Sequence, residues 1–553
     1  MQEDVIKDNK KLFEAGVIAL FIVLFLFVKL AQPWQYSLAH QYPSFYNAND
    51  NFINGYVIPQ DIKETGNYMY EPSYLVGGYK NLVGFFPPIF YQLTAEFSAV
   101  TVLQTYDASY ILAIFISITT ALIAYFIIRK YSPELALLSL PFMLGAFNFD
   151  FEIARAFGLW MYLTGTLFFV SMVWIIDRIS SKYSFLFFAI FFSGAILGHP
   201  PEAIFSIGFL VFYLLIRYLK EKKLPRETLK NLGIGMAIAL LISSYYLLIF
   251  RYALMHGATN QYKLFSVMTA PDFAPNLGVK LWDFGIIFPV LIIGLLIAIK
   301  KLVFRKKEEI PFIPLLAGVF ALIVGYSNYL GMGIRAWQTR TSWPFMLAIF
   351  SGIVLFYIWQ RFAKDKNTIY IPVISLALLL MFATLHVGQL QGMGIVDKQS
   401  WGALMWIKNN TPQNAKVYYY PMPLATQQFA LWSAGRVPYI IDTDDYVNAA
   451  KQGIVKDDYK AYIFAADGSN SNFAYRASLT QYYYLADNAS VMNGFLNKSS
   501  RNADYHVLQI GGPLNNPYIS QYNQAIRARL LNSSRDISEV FNNGVISILK
   551  KNE

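Results

Sequence analysis

Cysteine is absent from the chain, and only 5 histidines occur among its 553 residues. The absence of cysteine excludes disulfide bonds and every metal site that depends on thiolate ligands. A metal ion bound to this protein would have to be held by carboxylate or imidazole groups. Candidate functional residues are therefore to be found among the acidic, basic and histidine side chains.

Charged residues are also scarce, at 14% of the chain, whereas hydrophobic residues make up 56%. An ordinary soluble domain has about 25% charged residues, so this composition excludes the possibility that the whole chain is a soluble domain. Apolar runs of roughly 20 residues, long enough to cross ~30 Å of hydrocarbon as helices, recur from residue 12 to residue 387. The sequence thus predicts an α-helical polytopic membrane protein with about 11 spans. Their centres lie near residues 22, 118, 141, 166, 191, 210, 240, 292, 319, 351 and 378.

Basic residues concentrate in alternate loops, for example at residues 217–230 and 300–307. The positive-inside rule then places the N-terminus in the cytoplasm and, with an odd number of spans, the C-terminal tail outside. The net charge of +11 is explained by these short loops. Because the basic residues form no continuous stripe, nucleic acid is not an expected partner. We expect a multi-pass protein of the plasma (cell) membrane, in contact with membrane lipids.

Two domains are predicted. Residues 1–387 form the membrane domain, with a first external loop over residues 33–88, and residues 388–553 form an extracytoplasmic soluble α/β domain. In this tail, the helix-like SWGALMWIKNN precedes the strand-like KVYYY, and the short β-type runs HVLQI and VISIL follow. The long loops all fall on the predicted external side, where we expect the functional site.

The stretch FNFDFEIARAF interrupts the apolar sequence between the third and fourth predicted spans. It places Asp150 and Glu152 among phenylalanines, which raises the cost of their charges unless a cation compensates them. Arg155 is one candidate for this compensation, and a divalent ion is another. The residues alone leave both open.

Three further segments bring polar residues to the same predicted face. The first external loop carries Asp50, GHPPEAIF carries His199 and Glu202, and MGIRAWQTRTSW carries Arg335 and Arg340. The simpler interpretations are a solvated acid, a histidine at a helix end, and arginines that anchor at lipid headgroups. The functional interpretation is that the guanidinium groups grip a phosphate beside acids that act on a substrate.

This arrangement resembles the GT-C superfamily of integral-membrane glycosyltransferases, which use lipid-phosphate-linked sugars. Asp50 is similar to their first-loop acid, and DFE at residues 150–152 to the acid-x-acid motif of oligosaccharyltransferase catalytic subunits. GFFPPIFYQL resembles a segment of archaeal and bacterial membrane proteins related to 6-pyruvoyl-tetrahydropterin synthase. The tail segment WIKNNTPQNAKVYYY resembles the opening of the oligosaccharyltransferase soluble domain. However, YYPMP at residues 419–423 replaces the W-W-D-Y-G motif of those enzymes, which argues against peptide N-glycosylation.

The resemblance implies a glycosyltransferase that moves a sugar, with inversion, from a polyprenyl-phosphate-linked donor to a glycan or protein acceptor on the extracytoplasmic face. It implies Asp50 as general base, with Asp150 and Glu152 as further catalytic residues. The substrate-binding residues it implies are Arg155, His199, Glu202, Arg335 and Arg340. The cofactor is unknown, and Mg²⁺ or Mn²⁺ held by Asp50, Asp150 and Glu152 stays open.

Two other functions compete with this one. A transporter or flippase of lipid-linked sugars would place ionisable residues near the middle of its spans, whereas those of this chain cluster near the span ends. A non-catalytic scaffold or glycan-binding protein with the same fold would have no need to gather its acids. The distinguishing feature is whether Asp50 and the acids at 150 and 152 face one cavity.

Overall fold

The computed structural model describes residues 2–31, 41–70, 72, 82–83, 87–145, 148–223, 226–255, 287–304, 312–326, 340–362, 370–387, 394, 396–420, 434–436, 464–465, 503–512, 517–533 and 536–552. Helices dominate up to residue 387. Their bounds are α1 (Gln2–Leu26), α2 (Asn49–Phe52), α3 (Ile58–Thr65), α4 (Ile89–Thr101), α5 (Thr105–Arg129), α6 (Pro133–Ser139), α7 (Phe149–Ala156), α8 (Trp160–Ile176), α9 (Ser184–Gly198), α10 (Pro200–Glu221), α11 (Arg226–Ile242), α12 (Ser244–Met255), α13 (Phe288–Phe304), α14 (Phe312–Gly325), α15 (Trp343–Met346), α16 (Ala348–Phe362) and α17 (Tyr370–Val387).

Four helical segments in the described part of the chain are long and apolar enough to cross a membrane: Lys11–Leu30, Thr105–Arg129, Pro200–Glu221 and Arg340–Phe362. Six further apolar helices are shorter, at 10–17 residues. Each predicted span centre falls inside a helical segment. The mostly helical membrane architecture is therefore confirmed, while the number of spans stays a prediction.

The described part of the tail adds a small sheet and two helices to the helical part. Its elements are α18 (Lys398–Asn410), β2 (Val417–Tyr419), β4 (Tyr505–Gln509), α19 (Pro517–Ser533), β5 (Ile537–Asn542) and β6 (Ile546–Lys551). The strand order is β2-β4-β6-β5, with β2 parallel to β4 and the other pairs antiparallel. The strands predicted from KVYYY, HVLQI and VISIL are thus present. A two-stranded antiparallel sheet also pairs β1 (Leu82–Val83) of the first loop with β3 (Phe464–Ala465).

Helix α18 attaches the tail to the first loop, residues 33–88. The Trp401 ring lies 5.2 Å from the ring of Tyr56 and 5.7 Å from that of Tyr106, measured between centroids. Lys408 Nζ lies 2.7 Å from Glu64 Oε1 of α3. One continuous apolar core accordingly includes residues of α1, of the first loop and of the tail sheet. The domain boundary at residue 387 stays a prediction.

Candidate active site

The acidic turn that the sequence singles out folds largely as α7. Asn148 caps this helix, because its side-chain oxygen accepts a hydrogen bond from the Phe151 backbone N–H at 2.7 Å. Phe151 is buried and meets the ring of Phe345 edge-on, with centroids 5.4 Å apart. This anchor holds Asp150 and Glu152, on either side of it, close to the protein interior.

Glu152 is compensated by two buried cations. Lys29 Nζ donates to Glu152 Oε1, and Arg155 donates to Oε2 from Nε at 3.0 Å and from NH2 at 2.8 Å. Lys29 and Arg155 are each only 1% exposed. Tyr110 completes the cluster, since its hydroxyl accepts from Arg155 and donates to the Lys29 carbonyl oxygen at 2.8 Å. The sequence predicts a compensating cation beside Glu152. The protein provides two, Lys29 and Arg155, from separate segments of the chain.

Asp150 is compensated by a third cation. Arg340 NH1 lies 3.2 Å from Asp150 Oδ2, and Arg340 Nε donates to the Gly325 carbonyl oxygen at 2.9 Å. The guanidinium also lies 5.9 Å and 5.4 Å from the ring centroids of Tyr326 and Trp343. Arg340 is only 3% exposed. It is therefore a buried residue of the core and not a lipid-facing anchor.

Asp50 lies on α2, and its side chain is exposed. The backbone beside it packs on Gly158, two residues after α7. A Cβ atom at position 158 would lie 2.4 Å from the Asn51 nitrogen, and Gly158 has a φ of +82°, so only glycine suits this contact. Asn54 Nδ2 also donates to the Gly158 carbonyl oxygen at 2.9 Å. Chain segments about a hundred positions apart therefore meet here, while a cavity shared by the carboxylates of Asp50, Asp150 and Glu152 stays a prediction.

His199 and Glu202 form a buried pair. The backbone of His199 is extended, α10 begins at the next residue, and His199 Nδ1 is hydrogen-bonded to Glu202 Oε2. The Tyr162 ring lies over the imidazole at a centroid distance of 4.2 Å. A small cavity of ≈ 10 Å³ is lined by Glu202, Thr166 and Ser342. Glu202 of α10 thus shares this cavity with Thr166 of α8 and with Ser342, two residues after Arg340.

The described carboxylates do not fit a divalent ion. Nowhere in the described ranges do three His, Asp or Glu side chains gather closely enough to hold a metal. Both oxygens of Glu152 are already bonded, to Lys29 and Arg155, and Asp150 is paired with Arg340. A metal at this position would have to displace buried cations, so no step of the chemistry is assigned to one.

Sequence reasoning missed Lys29 and Tyr110. Lys29 lies near the end of the run FLFVKLAQ, where a lysine usually extends to the membrane interface. The signal that points to it is a charge inside an otherwise apolar span, which requires a partner. Arg335, predicted as a second phosphate-binding arginine, lies outside the described residues.

No protein-family model matches the sequence, and no curated protein matches it either. Several solved structures, however, are similar to the structure of this chain. The Archaeoglobus fulgidus oligosaccharyltransferase matches 91% of this chain and 70% of its own at 12% identity, with a TM-score of 0.60. ArnT from Cupriavidus metallidurans, bound to undecaprenyl phosphate, matches 97% of this chain and 98% of its own at 11% identity and a TM-score of 0.56. Mycobacterial arabinofuranosyltransferase AftD matches 98% of this chain and 40% of its own at 10% identity and a TM-score of 0.53.

The chain shares the fold of these three transferases. The fold expected from the resemblance is confirmed by three transferases of different kinds, each at low sequence identity. The match to ArnT extends over nearly the full length of both chains, so the membrane helices and the tail are both included. A shared fold does not settle activity, which has to be argued from the site.

Proposed function

We propose that the protein is a membrane glycosyltransferase, which moves a sugar from a polyprenyl-phosphate-linked donor to an acceptor hydroxyl on the extracytoplasmic face. The observation that carries this proposal is the contact of the Asp50 segment with Gly158, directly after the cationic α7 cluster. In a GT-C fold this contact brings an exposed carboxylate to a region rich in buried positive charge. ArnT, which shares the fold, is bound to undecaprenyl phosphate in its structure.

The proposed reaction is a single displacement with inversion at the anomeric carbon. The acceptor oxygen attacks that carbon, the bond from carbon to the donor phosphate oxygen breaks, and its electron pair leaves with the phosphate. Asp50 takes the proton of the acceptor hydroxyl. Its side chain is exposed and therefore accessible to an acceptor hydroxyl.

Positive charge is needed where the phosphate departs, because negative charge accumulates there in the transition state. Arg335 and Arg340 are proposed for this role. Arg340 is fixed between Asp150 and the Gly325 carbonyl oxygen. Lys29 and Arg155 hold Glu152 and so position α7. His199, directly before α10, and Glu202, in its first turn, stay predicted substrate-binding residues.

The test measures release of radiolabelled sugar from a polyprenyl phosphate donor by the purified full chain. Asp50→Asn keeps the shape of the side chain and removes the base, so we expect a loss of about 10²- to 10⁴-fold in rate. Glu96→Gln is the matched control, since it neutralises an exposed acid of α4 and leaves the rate unchanged. An Asp50→Asn variant with full turnover would refute the assignment of the base.

The competing functions give other outcomes. A flippase of lipid-linked sugars moves the donor between leaflets of a vesicle without releasing the sugar. A non-catalytic scaffold does neither. Either result from the wild-type protein, obtained with a range of donors, would overturn the proposed activity.

A further inference from the structure

A second, larger cavity lies beside the first loop. Its volume is ≈ 130 Å³, and it is bounded by α3, the start of α4 and helix α12. A single water needs about 10–15 Å³ on this measure, so the cavity has room for roughly ten water-sized groups, comparable with one sugar ring. Five tyrosines contribute to its lining: Tyr68, Tyr70, Tyr91, Tyr245 and Tyr246.

Three polar side chains complete the lining: Asp61, Asn67 and Gln92. Carboxylate oxygens accept hydrogen bonds, and side-chain amides both donate and accept them. Tyrosine offers an apolar ring face together with a polar hydroxyl. A pyranose ring has the matching character, with hydroxyl groups around its edge and C–H groups on its faces. The cavity therefore suits a sugar better than a purely apolar ligand.

The charge of the described lining suits a phosphate poorly. Among the described residues that line the cavity there is no lysine, arginine or histidine. Asp61 lines it, and burial and Glu64, one turn along α3, raise the pKa of Asp61, with Lys408 opposing. A phosphate placed here would meet the negative charge of these acids at close range. An uncharged or amine-bearing ligand fits this lining better.

Asp61 is half-buried at the wall of the cavity. No hydrogen bond or ion pair to its carboxylate is found within the described ranges, and only its backbone oxygen accepts a bond, from Thr65. Burial and the neighbouring Glu64 raise the pKa of Asp61 to about 6, against an opposing effect of Lys408. A carboxylate held in this way reduces stability in the free protein, which is typical of side chains that serve a ligand.

The cavity wall is connected to the Asp50 segment. Tyr91, which lines the cavity, donates from its hydroxyl to Asn54 Oδ1 at 2.8 Å. Asn54 in turn donates to the Gly158 carbonyl oxygen at 2.9 Å. Gly158 is the residue on which the backbone at Asp50 and Asn51 packs. Two consecutive hydrogen bonds, from Tyr91 to Asn54 and from Asn54 to Gly158, thus connect the cavity wall with the segment that carries the proposed base.

We propose that this cavity binds a sugar ring of the acceptor, uncharged or carrying an amine, through the Asp61 carboxylate and the tyrosine rings. That the sugar belongs to the acceptor rests on the proposed function, because Asp50 would deprotonate the acceptor. That the cavity takes a sugar rests on its lining alone.

Binding is tested by saturation-transfer NMR on the full chain in lipid nanodiscs free of glycoside detergent. The probes are methyl β-D-glucopyranoside, its 2-amino-2-deoxy analogue and glucose 1-phosphate. We expect signals from the two methyl glycosides and none from the phosphate. Asp61→Asn should weaken glycoside binding about tenfold, as expected for the loss of a charge-assisted hydrogen bond.

Glu96→Gln provides the matched control, since it removes one exposed negative charge from α4, a helix that bounds the cavity, at a position outside the cavity lining. Tyr68→Ala, at a side chain that is 69% exposed, is a second variant that does not disturb the core. We expect binding to be unchanged in the control and weakened in Tyr68→Ala. Equal binding by wild type, Asp61→Asn and Tyr68→Ala, or a stronger signal from glucose 1-phosphate, would overturn the proposal.

The outcome separates this inference from the proposed activity. Glycoside binding without any sugar release from polyprenyl phosphate would keep the cavity as a sugar site and refute the transferase. Sugar release that is unaffected in an Asp61→Asn protein, together with absent glycoside binding, would keep the transferase and refute the cavity. Signals from acyl chains of the nanodisc alone would identify the cavity as a lipid contact and also refute it.

Discussion

Two acidic regions of this protein differ in how their charges are compensated. In the α7 cluster, Glu152 is bonded to two buried cations and Asp150 to a third. In the first loop, Asp61 lines a cavity without a bonded partner among the described residues, and Asp50 is exposed. Buried ion pairs of this kind fix the structure around α7, whereas the acids of the first loop lie where a ligand could reach them. On the proposed function, the chemistry belongs to the loop and its support to the helix.

The largest effect is expected from Glu152→Ala. It leaves Lys29 and Arg155 buried without their counter-ion, and breaking a buried pair in this way costs about 3–5 kcal/mol in free energy of unfolding. Thermal unfolding of the purified protein provides the measurement. Glu227→Ala is the control, because its pair with Lys230 at 3.8 Å is exposed and worth about 0–1 kcal/mol. Equal effects of the two substitutions would contradict the structural role of Glu152.

Arg340→Ala should have the next largest effect. It removes the charged hydrogen bond between Arg340 and Asp150, at a cost of about 2–3 kcal/mol, and it should also weaken binding of the polyprenyl phosphate donor. In the double variant Arg340→Ala/Asp150→Ala most of the stability should return, because the charge that Arg340 compensates is removed with it. Donor binding should stay weak in both. Unchanged donor binding with lost stability would limit Arg340 to a structural role.

The smallest effect concerns Asp61 and pH. Its pKa is raised from 3.8 to about 6 by burial and by Glu64, with Lys408 of α18 opposing, and tyrosines face it across the cavity. The folded state then binds more protons than the unfolded state between these values, so stability falls as the pH rises through this window. Asp61→Asn should stabilise the protein at pH 7.5 by about 1 kcal/mol after allowance for solvent screening.

That gain should shrink as the pH falls below 6 and disappear below about pH 3, where wild-type Asp61 is protonated in both states. Unfolding midpoints of wild type and variant across this range provide the comparison. A constant difference over the whole range would show that the carboxylate of Asp61 is not held in an unfavourable setting, and the contrast with α7 would fail.

Much of the helical part of the fold is predictable because apolar runs of membrane length have few alternatives. The need for a cation beside Asp150 and Glu152 also follows from the sequence, and Arg155 is identified correctly as one partner of Glu152. Lys29 is not identified, since its role depends on a contact 123 positions away in the chain. Local patterns carry no signal for such pairings.

The first-loop cavity could not be predicted for the same reason. It joins Asp61 and Tyr91 to Tyr245, residues that lie on separate helices far apart in sequence. The sequence also does not indicate that the backbone at Asn51 packs against Gly158, because a glycine near a helix end usually only caps the helix. Contacts of this kind depend on how the helices pack, which hydrophobic periodicity does not determine.

The central claim is that the Asp50 segment and the chain after α7 form one site. The absence of native cysteine allows a direct test by cross-linking. Residues 50 and 157 each lie one position from the contact between Asn51 and Gly158, so their Cα atoms are at most about 12 Å apart. An Asp50→Cys/Phe157→Cys protein in membranes should be cross-linked intramolecularly by a short bis-maleimide, while neither single variant is. Absence of this cross-link, with both thiols reactive toward a simple maleimide, would contradict the account.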